Sequence, residues 1–506
     1  MRLRKVLPVA FIYLCTLILP FIAALILAGK DYVFGGFLLN PLDGNSYLAK
    51  MMLGWQGEWI FRLPYTANPG SGAYLFLFYI LLGHISRLLA INLLVMFHIT
   101  RLISAGLMFY AIIRFIQRFF PESHWLAPSL WLLIFGSGLG WLTALFGGFT
   151  ADFWVAEAFP FLSAFSNPHF PLGIAILLTI LMEFQQTLSW GRILALGLLS
   201  FLLSIILPFA VVIAIVIMGI TTLWEWAETR HLKWQALICV GVPGGICLIY
   251  QFTATLADPV LALWNQQNLT ISPPLWNLLI SFSPAIIFAG WGIYKLLPQI
   301  THPGRRLLIS WFGSGLILTY IPFSLQRRFM TGLFIPIAIL AILGISQISS
   351  RKWSRNLFLL LIMLSLPTNL LILLGGLGAD LQHNSALFNS RSENQALTWI
   401  DQNTQKGDLI LASPEFGTWI PAQTGRRVIY GHPYETVSAE KEKQILVDFY
   451  SGQNPGEMDT LIEKLGVREI IWGPRENKYG TIREINGYSH VAQFGDVAIL
   501  EIKAQP

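Results

Sequence analysis

Over most of the chain, apolar residues come in long runs separated by short polar breaks. The first run, residues 6–28, is followed by a polar loop over 29–72. Further runs recur near 73–89, 91–117, 127–148, 171–187, 192–224, 235–255, 274–298, 306–325, 329–347 and 355–378. A helix rises about 1.5 Å per residue, so about 20 apolar residues cross a bilayer core of about 30 Å. The pattern predicts a mainly α protein: a polytopic transmembrane helical bundle of about eleven spans, or about twelve to thirteen if half-helices are counted. The run 192–224 is long enough to hold two short spans broken at Pro208. The run 6–28 is longer than a signal-peptide core, and no small-x-small site precedes Lys30, so it reads as a retained first span with Lys5 on the cytoplasmic side.

Near residue 393 the period changes. A helix over 395–402 is followed by strands over 409–412 and 428–430, helices over 439–449 and 458–465, a strand over 469–472, and a closing hairpin of 489–494 with 497–502. Alternating helix and strand predicts a soluble α/β domain with a largely parallel sheet, and no glycine-rich phosphate loop interrupts it. Two domains follow: residues 1–378 as the membrane domain, with its first extracytoplasmic loop at 29–72, and 379–506 as the soluble one.

Composition sharpens the division. Of 506 residues, 55% are hydrophobic and 12% charged, against about 25% charged in an ordinary soluble protein, which excludes a soluble enzyme. Residues 1–378 carry 21 Lys/Arg and 10 Asp/Glu, whereas the remaining 128 carry 12 and 17. The net charge of +6 comes from basic residues scattered between apolar runs, so it signals membrane topology and not nucleic-acid binding. An odd span count puts the C-terminal domain outside the cytoplasm, and Arg230/Lys233, Arg305/Arg306 and Arg351/Lys352/Arg355 then fall inside. Arg114, Arg118 and Arg192 fall outside, against the same rule. Cys15, Cys239 and Cys247 all lie in apolar runs and make neither a disulfide framework nor a zinc site.

Only a few polar groups in the membrane part invite a chemical reading. The first loop contains Asp43-Gly44-Asn45-Ser46-Tyr47, followed by Leu48, Met51, Met52, Trp55 and Trp59 on one helical face. That spacing predicts a short helix on the membrane surface with Asp43 just before its start. Asp43 then serves as an N-cap, as a general base toward an acceptor hydroxyl, or as a ligand holding a divalent cation against a phosphate. A second cluster, Asp152, Glu157 and Asn167-Pro168-His169, offers two carboxylates and an imidazole for a metal or acceptor site. Arg327 and Arg328 stand at the expected outer interface, where they either bind a phosphate bidentately or snorkel to lipid headgroups. Arg101, one turn after His98, must face the bundle interior and is either a donor-phosphate ligand or a structural partner. In the tail, Glu415 and the stretch His432-Pro433-Tyr434-Glu435 follow strands, where loops contact an acceptor or are simply solvated.

A first span, an extracytoplasmic loop with an Asp followed closely by Tyr47, many further spans and an α/β tail together resemble the GT-C superfamily of integral-membrane glycosyltransferases. The likeness runs to the polyprenyl-phosphate-sugar-dependent branches that act on mannose or aminoarabinose. It implies an inverting hexosyl- or pentosyltransferase in a plasma (inner) membrane, with Asp43 as the catalytic residue. The implied partners are a polyprenyl-phosphate-linked sugar, a glycan, lipid or protein acceptor, and membrane lipids, but no nucleic acid. A divalent cation, Mg or Mn, is the one cofactor the resemblance leaves open, with Asp43 and Asp152 as its ligands. Two departures stand out: Gly44 occupies the place of a second acidic residue, and Asn68-Pro69-Gly70 replaces a Pro-Pro element. Two other classes fit the same pattern: a transporter or lipid flippase with charges along a path, and a non-catalytic anchor presenting the tail.

Overall fold

A computed structural model describes residues 2–120, 125–230, 232, 234–299, 302–485 and 487–502, with side chains from Val6 onward. Lys233 and the Lys5 side chain therefore lie outside the described residues. In the membrane part, the helices are α1 (Arg2–Leu27), α2 (Pro41–Trp55), α3 (Leu77–Leu89), α4 (Leu93–Ile116), α5 (Leu126–Phe135), α6 (Gly140–Ala144), α7 (Pro160–Ser166), α8 (His169–Phe184), α9 (Trp190–Ile206), α10 (Pro208–Thr229), α11 (Gln235–Ala257), α12 (Pro259–Gln267), α13 (Leu275–Phe282), α14 (Ala285–Leu296), α15 (Pro303–Leu318), α16 (Phe334–Ser346), α17 (Arg351–Ser365) and α18 (Pro367–Leu381). Strand β1 (Tyr32–Phe34) follows α1.

Among the described residues, seven helical segments are long and apolar enough to cross a membrane, and eight if α13 and α14, bent by 81°, count as one. The shorter apolar helices α8 and α9, of 16 and 17 residues, reach about 24–26 Å, so among the described residues the spans long enough to cross number fewer than the eleven expected. One open alternative is met and one expectation changes. The run 192–224 breaks at Pro208 into α9 and α10, because a proline ring cannot continue the preceding helix. The run 73–89, expected as a span, holds only the 13 residues of α3, about 20 Å. That helix packs on α2, crossing it so closely that a Cβ on Gly54 would lie 1.9 Å from the Ile80 carbonyl oxygen, and one on Gly83 1.8 Å from that of Met51.

The chain divides into two compact units. The first comprises the N-terminal segment to Pro20, His98–Tyr250 and Thr270–Gly378, and the second Phe21–Phe97, Gln251–Leu269 and Ala379 onward. Within the first, α14 packs on α16 and α10 on α15. Burial of nearly every side chain of α16 marks it as the central helix.

The second unit is built on β2 (Phe388–Ser390), α19 (Arg391–Asn403), β3 (Leu409–Leu411), α20 (Pro414–Gly417), α21 (Trp419–Thr424), β4 (Arg427–Val428), α22 (Ala439–Tyr450), α23 (Pro455–Lys464), β5 (Val467–Trp472), β6 (Tyr488–Phe494) and β7 (Val497–Ile502). The sheet order is β4-β3-β5-β7-β6, with β4, β3 and β5 parallel and β7 and β6 antiparallel as the closing hairpin. Alternate strand residues feed two cores. Leu409, Leu411, Ile470, Trp472 and Leu500 meet Leu446, Phe449 and Ile462 on one face; Ile410, Ile471 and Ile499 meet Leu397, Ile400, Trp419 and Ile420 on the other. Ala49 of α2 and Tyr65 join that second core, so α2 is partly a helix of the tail's own fold. β1 pairs with β2 antiparallel, Val33 opposite Asn389.

One charge inside this sheet has a measurable consequence. Glu469 of β5 is buried and faces Glu501 across the ladder; among the described residues neither oxygen accepts a hydrogen bond, and Arg468 Nε lies 3.5 Å from one of them. Burial, then the nearby Asp408 and Glu501 against the pull of Arg468, pushes its carboxyl up from 4.5 to about 8. A carboxyl raised by folding favours the native state only while protonated, so its contribution fades as pH rises from about 4.5 to about 8. Glu469→Gln is therefore expected to stabilise the domain above pH 8, by about 2 kcal/mol after solvent screening, and to have little effect at pH 4. Thermal melts across that range check it.

Candidate functional site

The site begins with how α2 starts. Asn40 takes a left-handed conformation (φ 51°) and Pro41 the first helical position, where its fixed φ and missing N–H are harmless. The helix thus opens earlier than expected, and Asp43 lies within its first turn instead of capping it; there the positive end of the helix favours a carboxylate. The far end also differs, since α2 stops at Trp55 and Trp59 stacks on His84 at 4.0 Å. Ser46 and Lys50 follow Asp43 at i+3 and i+7, one stripe on the same face.

The loop after β4 comes to this stripe. Thr436 Oγ1 accepts from the Gly431 and His432 N–H groups at 3.4 and 3.3 Å, and the Tyr434 carbonyl accepts from Trp264 Nε1 at 2.8 Å, which fixes the loop's shape. Glu435 Oε1 accepts from Lys50 Nζ at 2.6 Å and from Ser46 Oγ at 2.5 Å, across 389 sequence positions in the second case. Lys50 is fully buried, with its ammonium 4.5 Å from the centre of the Phe76 ring. Burial works to raise the Glu435 carboxyl, but the Lys50 charge and the hydrogen bonds from Lys50 and Ser46 outweigh it and hold the group below the ordinary carboxylate value. His432 is buried too, and its Nε2 lies 3.5 Å from Asp43 Oδ1, while half of the Asp43 side chain remains exposed. Beside Asp43, Tyr47 and Tyr79 stack at 4.5 Å. Burial, with Tyr47 and Asp43 close by, pushes the Tyr79 phenol well above its ordinary value.

Three residues singled out in the sequence, Asp43, His432 and Glu435, therefore converge. Lys50 and Ser46 were missed, although a lone lysine in helical register with Asp43, on the face opposite Leu48, Met51 and Trp55, was a readable signal. The absent second acidic residue also finds its reason: a Cβ on Gly44 would lie 2.3 Å from the Phe37 ring. Gly44→Asp is expected to cost about 1–3 kcal/mol through overpacking, read as a lower melting temperature.

Glu157 does not join Asp152; its carboxylate lies 3.2 Å from Arg328 and 3.6 Å from Arg327, and the Arg327 guanidinium stacks over Trp154 at 4.9 Å. One carboxylate thus offsets part of the paired positive charge, and both arginine side chains stay partly exposed, at 20% and 29%. Arg101, read from the sequence as a donor-phosphate ligand or a structural partner, meets groups of the chain itself. It is buried and donates to the carbonyls of Ala164 and Leu17 at 3.0 and 2.9 Å and to His98 Nδ1 at 3.2 Å, closing the C-terminal end of α7. Asp152 does so too: fully buried, it accepts from Thr150 Oγ1 at 2.7 Å, the Gly140 N–H at 3.0 Å and Thr368 Oγ1 at 3.0 Å, tying three segments together. His169 begins α8 with its ring against Phe170, and Glu415 accepts from the Tyr479 hydroxyl at 3.0 Å.

Among the described residues no three His, Cys, Asp or Glu side chains come together as ligands, and Asp152 already has protein donors on both oxygens.

No protein-family model matches the chain, and no curated protein matches it in sequence. Solved structures do resemble it. ArnT from Cupriavidus metallidurans bound to undecaprenyl phosphate is 10% identical with a TM-score of 0.51, over 96% of this chain and 97% of that one. The apo oligosaccharyltransferase of Archaeoglobus fulgidus is 12% identical with a TM-score of 0.53, over 91% and 69%. The archaeal oligosaccharyltransferase AglB from the same organism, in complex with an inhibitory peptide and a dolichol-phosphate, is 12% identical with a TM-score of 0.50, over 91% and 69%. These likenesses establish the fold.

Proposed function

We propose that this chain, which carries the GT-C fold, is an integral-membrane glycosyltransferase moving a sugar from a polyprenyl-phosphate donor to an acceptor outside the cytoplasm. The observation that carries the reading is the half-exposed Asp43 carboxylate at the start of α2, backed by the buried His432 and the Lys50–Glu435 pair. The structural neighbours that carry undecaprenyl phosphate and dolichol-phosphate support the class of donor.

In the reaction, the acceptor hydroxyl gives its proton to Asp43 as its oxygen bonds the anomeric carbon. The bond from that carbon to the phosphate oxygen breaks, and the polyprenyl phosphate leaves with the electron pair. The charge that develops on the phosphate needs a cationic partner, and the paired guanidiniums of Arg327 and Arg328, partly offset by Glu157, have the chemistry to supply one. Attack opposite the leaving group inverts the anomeric configuration. The acceptor is a glycan, lipid or protein. In the proposed topology the N-terminus is cytoplasmic, residues 379–506 are extracytoplasmic, and the membrane is a plasma or inner membrane.

The test uses proteoliposomes containing a labelled polyprenyl-phosphate sugar. Transfer should release polyprenyl phosphate stoichiometrically. Arg327→Lys with Arg328→Lys keeps the charge facing Glu157 but loses the planar fork, and should raise the donor KM about tenfold, the worth of one charge-assisted hydrogen bond. Movement of the lipid-linked sugar between leaflets in counterflow, with no transfer product, would support a flippase instead.

A further inference from the structure

His432 is a buried polar side chain that the proposed reaction does not use. Its two ring nitrogens are distinguishable. Nδ1 accepts the Tyr434 N–H at 3.1 Å, so it holds a lone pair there and the proton of the neutral ring sits on Nε2. Nε2 has no hydrogen-bond partner among the described residues, and Asp43 Oδ1 lies 3.5 Å from it. A buried N–H without an acceptor costs free energy unless some state of the protein satisfies it. The acceptor within reach is the Asp43 carboxylate, and catalytic contacts of this kind are often long before substrate binds.

The ring itself has little freedom. Burial, the Tyr434 N–H and the loop bonds to Thr436 hold it on one side, and Glu435, three residues on, is tied to Lys50 and Ser46 of α2. Because Nδ1 is occupied and Nε2 already carries the proton, His432 is unsuited to take the acceptor's proton. It is suited to donate.

We propose that His432 is a positioning residue for Asp43: its Nε2–H closes on Oδ1 when acceptor binds, fixing the carboxylate so that its other face meets the acceptor hydroxyl. This rests on the glycosyltransferase reading, with Asp43 as the base. The tail domain then supplies part of the reacting geometry through a loop more than 380 positions away from the carboxylate.

The test compares His432→Phe, which fills the space without a donor, with His432→Gln, whose amide nitrogen reaches the Nε2 position. In the reconstituted transfer assay, His432→Phe should lower kcat about 10- to 100-fold, the worth of a hydrogen bond to a charged group. The donor KM should stay within about twofold, because the contact is made after donor binding, and His432→Gln should recover most of the rate. Independently of any substrate, carbodiimide labelling of Asp43 followed by mass spectrometry should be faster in His432→Phe than in the wild type and the Gln variant. Equal loss of kcat in both variants alongside equal loss of thermal stability, or unchanged kcat and labelling in His432→Phe, overturns the proposal. Unchanged labelling with no transfer by the wild type overturns it together with the transferase reading, whereas the expected labelling difference with no wild-type transfer overturns only the reaction.

Discussion

Asp43→Asn is expected to lower transfer by about 10²- to 10⁴-fold, the usual contribution of a positioned general base. The substitution is nearly isosteric. Its Oδ1 still faces the His432 Nε2–H, so the contact at 3.5 Å survives while the capacity to take a proton is lost. Folding should be little affected, since the side chain is half exposed and its attraction to the start of α2 is worth about 0.3–1 kcal/mol. The measurement is the initial rate of labelled sugar transfer by detergent-purified, reconstituted variant, with melting temperature as the control. Activity within tenfold of the wild type would remove Asp43 from the chemistry.

A different class of effect is expected at Lys50. Its ammonium is fully buried, and Lys50→Met leaves the Glu435 carboxylate in a low-dielectric pocket with only Ser46 still bonded to it. Breaking one side of a buried pair costs about 3–5 kcal/mol, most of it the uncompensated charge, whereas replacing both sides with apolar residues of similar size is often neutral. Lys50→Met alone should therefore lower the melting temperature sharply, and Lys50→Met with Glu435→Met should restore most of it. Failure of the double variant to recover would mean that the pair is not the source of the loss. Acid should mimic the single variant. Folding holds the Glu435 carboxyl below its ordinary value of 4.5, so the stability this provides is present above that pH and is lost as pH falls through the lower folded value.

Much of the fold could be read from local pattern, because each strand of the tail is bounded by turns and its apolar residues have a core to face. The strands near 409, 469 and 497 and the three long tail helices lie within a few residues of where the pattern puts them. Hydropathy misled at α3, because a helix buried against protein and a helix facing lipid are equally apolar; what separates them is Gly83, whose bare α-carbon lets α2 approach. The start of α2 was readable but misread: Asn40-Pro41 signals a helix start about two turns before the apolar face begins at Leu48. The candidate site was legible as separate residues and not as an arrangement. Nothing local brings Glu435 to Ser46, and the division of Glu157 from Asp152 depends on which carboxylate meets arginines and which meets backbone N–H groups.

The pairing of β1 with β2 sets an order on biogenesis. Tyr32–Phe34 emerges early in synthesis, yet its strand partner Phe388–Ser390 is made some 350 residues later, as are the helices that cover Ala49. Until then β1 presents unpaired backbone groups and α2 an uncovered apolar face, both of which invite wrong partners. A nascent chain stopped before residue 388 is therefore a ready client for chaperones and proteases, however well its spans have inserted, and a nonsense mutation anywhere in the tail should reduce the amount of protein recovered as well as its activity.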